Sequence, residues 1–315
     1  MRINLLSTQV QFFRHLRPIF EELPTELQGE VLTGAEGHHP RVRRFPPDDV
    51  FMVAGFGSIA ACGDRRVIYV EHGSGQSYLG ARSRHAESYP GGVHPPNVVG
   101  YICPSERVAR SWHGRPAIAV GCPALDDIEP GALGADAVVF TFHWDAPLVC
   151  PEARSARPHY IEHLHEMVMW VRDTTKGRAY PLGHWHPRDR YAEGIWRSLR
   201  VQSEPDPDRA LEQAALVIAD NTSFAYEAAA LGIPNVALNA PWYRRDVHHG
   251  LRFWDHPPGI MVDDADELMA RPVDEWVQDP LNRTVGHAAA RVAYSQPPRT
   301  GGAASAAQFL IELLT

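Results

Sequence analysis

The sequence predicts an α/β protein built as two doubly wound domains, and three observations predict it. Short apolar runs alternate with helical patterns along most of the chain. The runs of the first half end in Gly, Ser, His or Cys, as strands do when they are buried on both faces of a parallel sheet and leave it at polar turns. The alternation then starts again near residue 136, after the Gly/Pro-rich, acidic stretch GCPALDDIEPGALGAD (121–136). A chain of 315 residues exceeds the usual single domain, so the break divides it into domains at 1–130 and 131–315.

In the first series RINLL (2–6) is a strand and TQVQFFRHLRPIFEEL (8–23) a helix. Val10, Phe13, Leu16, Ile19 and Phe20 form its apolar stripe, and Ser7 or Thr8 is its expected N-cap. GEVLTG (29–34), DVFMVAG (49–55), RRVIYVEHG (65–73), NVVGYICPS (97–105) and PAIAVGC (116–122) are strands. SERVARSW (105–112) is a short helix with Ser105 as cap and Glu106 at its positive end. In the second series ADAVVFTFHW (135–144) is a strand, RPHYIEHLHEMVMWVRD (157–173) a helix and RAYPLGHWHP (178–187) a strand with a polar exit. PDRALEQAA (207–215), LVIADNTS (216–223) and FAYEAAALG (224–232) read as helix, strand and helix. NVAL (235–238) and GIMV (259–262) are strands, DADELMA (264–270) is a short helix and AASAAQFLIELL (303–314) a terminal one.

Composition excludes several classes of function. A formal charge of -8 gives no global attraction to nucleic acid or an anionic membrane. MRINLLSTQVQFFRHL carries no sustained apolar leader, and no later run approaches the roughly 20 apolar residues of a spanning helix, so the expected location is the cytoplasm. Cys62, Cys103, Cys122 and Cys150 form no Cys-x-x-Cys pair and are expected as buried thiols. HLHE (163–166) is not His-Glu-x-x-His, and His184 and His186 have no further ligand at recognisable spacing, so no metal site is expected.

Parallel sheets bind ligands at the carboxyl ends of their strands, where three polar clusters stand. After LVIAD come Asn221, Thr222 and Ser223 at the positive end of a helix, which fits a phosphate site or a plain cap. Glu227, one turn along, is a ribose acceptor or a solvated side chain. GHWHPRDR sets His184, His186, Arg188 and Arg190 beyond a strand, as partners of a diphosphate or as a solvated loop. EHGSGQ (71–76) puts His72 at a turn whose glycines permit positive φ, where a histidine serves as general base or anion donor. The P-loop lysine, the full Gly-x-Gly-x-x-Gly and the Gly-x-Ser-x-Gly elbow are all missing.

Taken in order, the pieces resemble the CDP-glycerol glycerophosphotransferase family, whose members have the GT-B fold. EHG (71–73) resembles its His-Gly turn, GCPALD (121–126) its Gly-x-Pro-x-x-Asp segment and FTFHWD (140–145) its Pro-Thr-Trp-Arg-like stretch. GHWHPRD (183–189) resembles its His-Pro motif and IADNTSFAYEAAALGIP (218–234) its Asp-Tyr-Ser-Ser helix. RRDVHHGLRFWDHPPGIMVDDADEL (244–268) resembles its Arg-Gly-Phe-acidic-Pro-Gly segment.

The resemblance implies two Rossmann-like domains facing a central cleft, the first on the acceptor side and the second binding the nucleotide donor. It implies His72 as general base, His186 on the donor diphosphate, Thr222 and Ser223 on the distal phosphate and Glu227 on the ribose. Asn221 and Arg188 belong with the donor, and Gly73, Ser74, Gln76, His143 and Asp145 with the acceptor side. The implied enzyme passes a sugar or polyol phosphate from a nucleotide-diphosphate donor to a hydroxyl acceptor. It uses no cofactor and no metal, since histidines and a helix dipole take the cation's place. The turn here is His-Gly-Ser-Gly-Gln where the family has His-Gly-Thr-Pro-Leu-Lys, and Asp145 stands where Arg is usual; both departures point away from a strongly anionic acceptor chain. The alternatives are a nucleotide-sugar 2-epimerase, which needs acid and base carboxylates, and a non-catalytic nucleotide-sugar-binding protein.

Overall fold

The computed structural model describes residues 1–34, 40–74, 95–112, 114–144, 154–187, 189, 191–243, 245, 251 and 253–314. Along the first half run β1 (Ile3–Ser7), α1 (Val10–Glu21), β2 (Gln28–Thr33), β3 (Val50–Ala54), β4 (Arg66–Val70), β5 (Val98–Cys103), α2 (Glu106–Ser111) and β6 (Ala117–Ala119). The second half continues with β7 (Ala137–Phe142), α3 (Arg157–Tyr160), α4 (Leu164–Thr175), β8 (Tyr180–Trp185), α5 (Ala192–Ser198), β9 (Gln202–Ser203), α6 (Pro207–Gln213), β10 (Ala214–Ala219), α7 (Ser223–Ala230), β11 (Asn235–Leu238) and β12 (Ile260–Val262). It closes with α8 (Ala265–Met269), α9 (Val273–Gln278), α10 (Pro280–Ala293) and α11 (Gly302–Leu314). No described helix is long and apolar enough to cross a membrane.

The chain forms two compact units, one holding the residues up to Asp127 and from Ala293 onward, the other holding Ile128–Val292. Each contains a six-stranded sheet, and every pairing in both is parallel. The first has the order β2-β1-β3-β4-β5-β6, the second β12-β11-β10-β7-β8-β9.

In the first unit strand alternation builds two cores, one on each face. Ile3, Leu5, Met52, Ile68 and Ile102 pack under α1 and α11, while Leu6, Phe51, Val53, Val67 and Tyr69 turn to the other face. There the Tyr101 ring stacks on Trp112 at 4.1 Å, with Tyr69 meeting Trp112 edge-on at 5.9 Å. The second unit's core joins Phe140, Ile218 and Leu238 of its strands to Leu164, Met167, Val171 and Trp276 of its helices. Cys62, Cys103 and Cys122 are buried; Cys150 lies outside the described residues.

Four expectations need correction. The terminal helix, assigned from sequence to the second domain, belongs to the first unit. Asp126 accepts the Arg299 and Ala303 N–H groups at 2.8 and 3.3 Å, capping the helix approach, and Leu313 lies over Gly100 of β5, where a side chain would block it. Neither Ser7 nor Thr8 caps α1: Ser7 Oγ donates to Gln9 O at 2.7 Å, and Thr8 Oγ1 shares a 2.6 Å hydrogen bond with Ser58 Oγ. Val10 is 78% exposed, and the buried stripe of α1 is instead Phe12, His15, Leu16, Ile19 and Phe20. The single helix expected over 157–173 is α3, a 3₁₀ turn at Ile161–His163 and α4; the break sits where Tyr160 turns inward to donate to Val262 O at 3.1 Å.

Gly55, which follows β3, adopts φ +81, and a Cβ there would overlap the Phe12 ring. Gly55→Ala therefore meets both backbone strain and overpacking, and should destabilise the protein by about 2 kcal/mol or more in urea unfolding.

Candidate functional site

In the second sheet the strand order reverses between β7 and β10, so their crossovers depart to opposite sides and leave a gap at the carboxyl edge. The register sets Thr141 beside Ala219, which brings Phe142–Trp144 and Asp220–Ser223 to that gap. Asp220 is fully buried. Its Oδ1 accepts the His143 N–H at 2.6 Å, and its Oδ2 accepts the Ser155 hydroxyl at 3.0 Å and the Ala156 N–H at 2.7 Å. Burial pushes this carboxyl up to about 6, against the pull of those donors and of Arg157.

Thr222 is the N-cap of α7: its side chain accepts the Phe224 N–H at 3.4 Å, and its own N–H donates to Asp220 O at 2.7 Å. Thr222 and Ser223 are partly exposed at this helix start, and Asn221 is buried. The Trp144 ring stacks at 5.7 Å on His186, which follows β8, and lies 5.9 Å from His143. Thus His143, His186, Thr222 and Ser223 gather at neighbouring strand ends. Arg188 and Asp145 lie outside the described residues.

Two expected site residues have a packing role as well. His184 is buried, stacks on Phe224 at 4.6 Å and, bonded to the Glu204 carbonyl at 2.8 Å, carries its proton on Nδ1. Glu227 is only 3% exposed, on the packed side of α7, so it is not a solvated surface carboxylate. In the sequence Asp220 stands out only as part of the polar DNTS junction, with no role of its own, and Ser155, Arg157 and Asp189 do not stand out at all. The half-buried Arg157 pairs with Asp189, and both line a recess with Phe142, His184 and Trp185. Their partners are tens of residues apart in the chain, so no local motif marks them.

In the first unit the corresponding gap falls between β1 and β3, where the buried Thr8–Ser58 hydroxyl pair closes it. His72 and Gly73 follow β4, the next strand, with Gly73 at φ +87 as the turn requires. His72 is half-buried, with its ring against Phe12 at 4.6 Å and His15 at 6.2 Å. Burial first, then the charges of Arg14 and His72, hold the His15 imidazole well below its ordinary value, so it stays neutral. Ser74 is buried; Gln76 lies outside the described residues. Among the described residues no group of three or more His, Cys, Asp or Glu stands ready to hold a metal ion.

No family model matches the sequence, and no curated protein is similar to it by sequence. Solved structures are similar in fold. The wall teichoic acid polymerase TagF is 9% identical, with a TM-score of 0.59 over 99% of this chain and 88% of that one. The UDP-GlcNAc 2-epimerase of Neisseria meningitidis, bound to UDP-GlcNAc, is 12% identical, with a TM-score of 0.58 over 100% of this chain and 99% of that one. S. aureus MnaA with UDP is 12% identical, with a TM-score of 0.56 over 99% and 97%. At these identities the likeness defines the fold, which is GT-B.

Glu71, beside His72, is buried, and its Oε2 has no hydrogen-bond partner among the described residues. Burial pushes its carboxyl from 4.5 up to about 8, the Tyr69 hydroxyl pulling the other way. The folded protein thus keeps a proton that the unfolded chain releases across that window, so this group makes stability fall as pH rises from 4.5 to 8. Glu71→Gln should match the wild type near pH 4 and exceed it at pH 8. The gap should grow by up to about 1.4 kcal/mol per pH unit in urea unfolding.

Proposed function

We propose that the protein is a GT-B transferase that moves a sugar or a polyol phosphate from a nucleotide-diphosphate donor to a hydroxyl acceptor. The observation that carries this reading is the polar turn at the β7–β10 gap of the second sheet. There the N-terminus of α7 offers Thr222 and Ser223 to an anion, with His143 and His186 on the adjoining strand ends. A diphosphate leaving group gathers negative charge as its bond to the transferred group breaks, and helix-end amides with imidazole donors stabilise that charge. In this reading Thr222 and Ser223 meet the distal phosphate, His186 the diphosphate and Glu227 the ribose, with Asn221 and Arg188 completing the donor site.

His72, at the Gly73 turn of the first unit, takes the proton from the acceptor hydroxyl, and Gly73, Ser74, Gln76 and Asp145 belong to the acceptor side; His143, expected there, follows β7 in the second unit and is read with the donor instead. Its support is position: a half-buried imidazole beyond a strand end, packed edge-on against Phe12 next to the neutral His15. The similarity in fold to a teichoic acid polymerase, to a UDP-GlcNAc 2-epimerase solved with UDP-GlcNAc and to MnaA solved with UDP agrees with an activated-nucleotide substrate.

A thermal-shift panel of CDP, UDP, GDP and dTDP, followed by product analysis with candidate hydroxyl acceptors, tests this reading; no stabilisation by any of them rejects it. Ser223→Ala should weaken binding of the stabilising nucleotide in calorimetry. Thr222→Ala should also lose about 1 kcal/mol of stability through the lost cap. His72→Ala should cut turnover by about 100-fold or more while donor affinity changes little, and undiminished turnover would remove it from the proton transfer.

A further inference from the structure

A carboxylate placed beside a turn that receives phosphate needs a reason, because like charges repel most where water is excluded. The donors around Asp220 supply it. His143 leaves β7 and Ala156 is the N-cap residue of α3, so the two ends of the connection between them are gripped by a single side chain that follows a third element, β10. The Ser155 hydroxyl adds the third bond. An asparagine at this place has one acceptor oxygen and would turn its NH2 toward a donor, so it cannot take all three bonds.

The bonds continue outward in both directions. Thr222 N–H donates to Asp220 O at 2.7 Å, which fixes the turn that opens α7. Arg157 N–H donates to Ser155 Oγ at 3.1 Å, and its guanidinium pairs with Asp189 beyond β8. One connected set of hydrogen bonds thus ties the ends of β7, β8 and β10 to the start of α3. The carboxylate's charge is taken up within this set.

We propose that Asp220 is a positioning residue: by gripping both ends of the β7–α3 crossover it sets the Thr222–Ser223 turn at the angle that receives the distal phosphate of a nucleoside diphosphate. The inference rests on the donor-site reading above and adds the group that fixes its geometry. The nucleotide is held through Thr222 and Ser223, and Asp220 acts through them.

The affinities of UDP and UMP, and of CDP and CMP, measured by calorimetry on the full chain, isolate the distal phosphate as a ratio of Kd values. Asp220→Asn should reduce the preference for the diphosphate roughly tenfold and change monophosphate affinity by less than about threefold. General loosening of the fold would weaken both nucleotides alike and leave the ratio unchanged. If Asp220→Asn does not fold, Ser155→Ala, which removes one donor and keeps the two backbone bonds, should reduce the ratio by roughly two- to threefold. An unchanged ratio in the variant that folds overturns the proposal while leaving the donor site standing. Native-state hydrogen exchange of the wild type gives an arm that needs no nucleotide: the His143 and Ala156 amides should exchange as slowly as those of β10, and exchange at open-chain rates overturns the grip itself. Protection of those amides with no binding of CDP, UDP, GDP or dTDP overturns the donor-site reading and, with it, this role for Asp220.

Discussion

Every strand in both sheets is parallel, and that constraint decides where polar chemistry can sit. A parallel strand is followed by a crossover back to the opposite edge, so all carboxyl ends emerge along one line, and the strand-order reversal opens a gap in it. The gap exposes backbone groups that must find partners. The two units meet this need differently. In the first, Thr8 and Ser58 bond to each other and Ser58 Oγ returns to Ala54 O at 2.8 Å, so the gap is filled from within and His72 lies one strand further on. In the second, Asp220 takes the donors from the crossover, and the start of α7 stays partly exposed beside it.

Two buried carboxyls show how much the local donors matter. Asp220 and Glu71 both lose their hydration, and both are pushed upward by that loss. Asp220 accepts two backbone N–H groups and a hydroxyl, and rises to about 6. Glu71, whose Oε2 has no hydrogen-bond partner among the described residues, rises to about 8. Donors aimed at a carboxylate recover part of its desolvation cost, so at neutral pH the first group is mostly an anion and the second mostly a neutral acid. The charged one tightens a turn; the neutral one leaves a proton inside the first unit.

The strands were legible because residues buried on both faces of a parallel sheet form continuous apolar runs. β9 was not, being two polar residues, Gln202 and Ser203, paired with β8. α9 and α10 also escaped notice: α10 buries Ala289, Ala290 and Ala293, small residues that make a faint stripe, and leaves Leu281 59% exposed. The place of α11 depends on Asp126, far away in the chain, and on the bare surface of Gly100. At the site, Asn221, Thr222 and Ser223 announced themselves by interrupting an apolar run. The contacts of Asp220 with Ser155 and Ala156 had no such mark, because only the return of α3 to the β7–β10 gap brings them together.

The arrangement around β4 bears on which reaction the fold serves. Glu71 N–H donates to Ile102 O at 2.8 Å, so the extended ladder reaches this residue and consecutive side chains point to opposite faces. Glu71 shares its face with Tyr69 and Cys103, whose thiol is pushed upward by burial first and then by Glu71. His72 lies with Phe12 and His15 under the other face. The alternative 2-epimerase needs acid and base carboxylates, and Glu71 stands on the far face of the sheet from the His72 imidazole. A transferase needs one base at the acceptor hydroxyl and stabilised charge at the leaving diphosphate. In the proposed reading His72 is the former and the start of α7 supplies the latter.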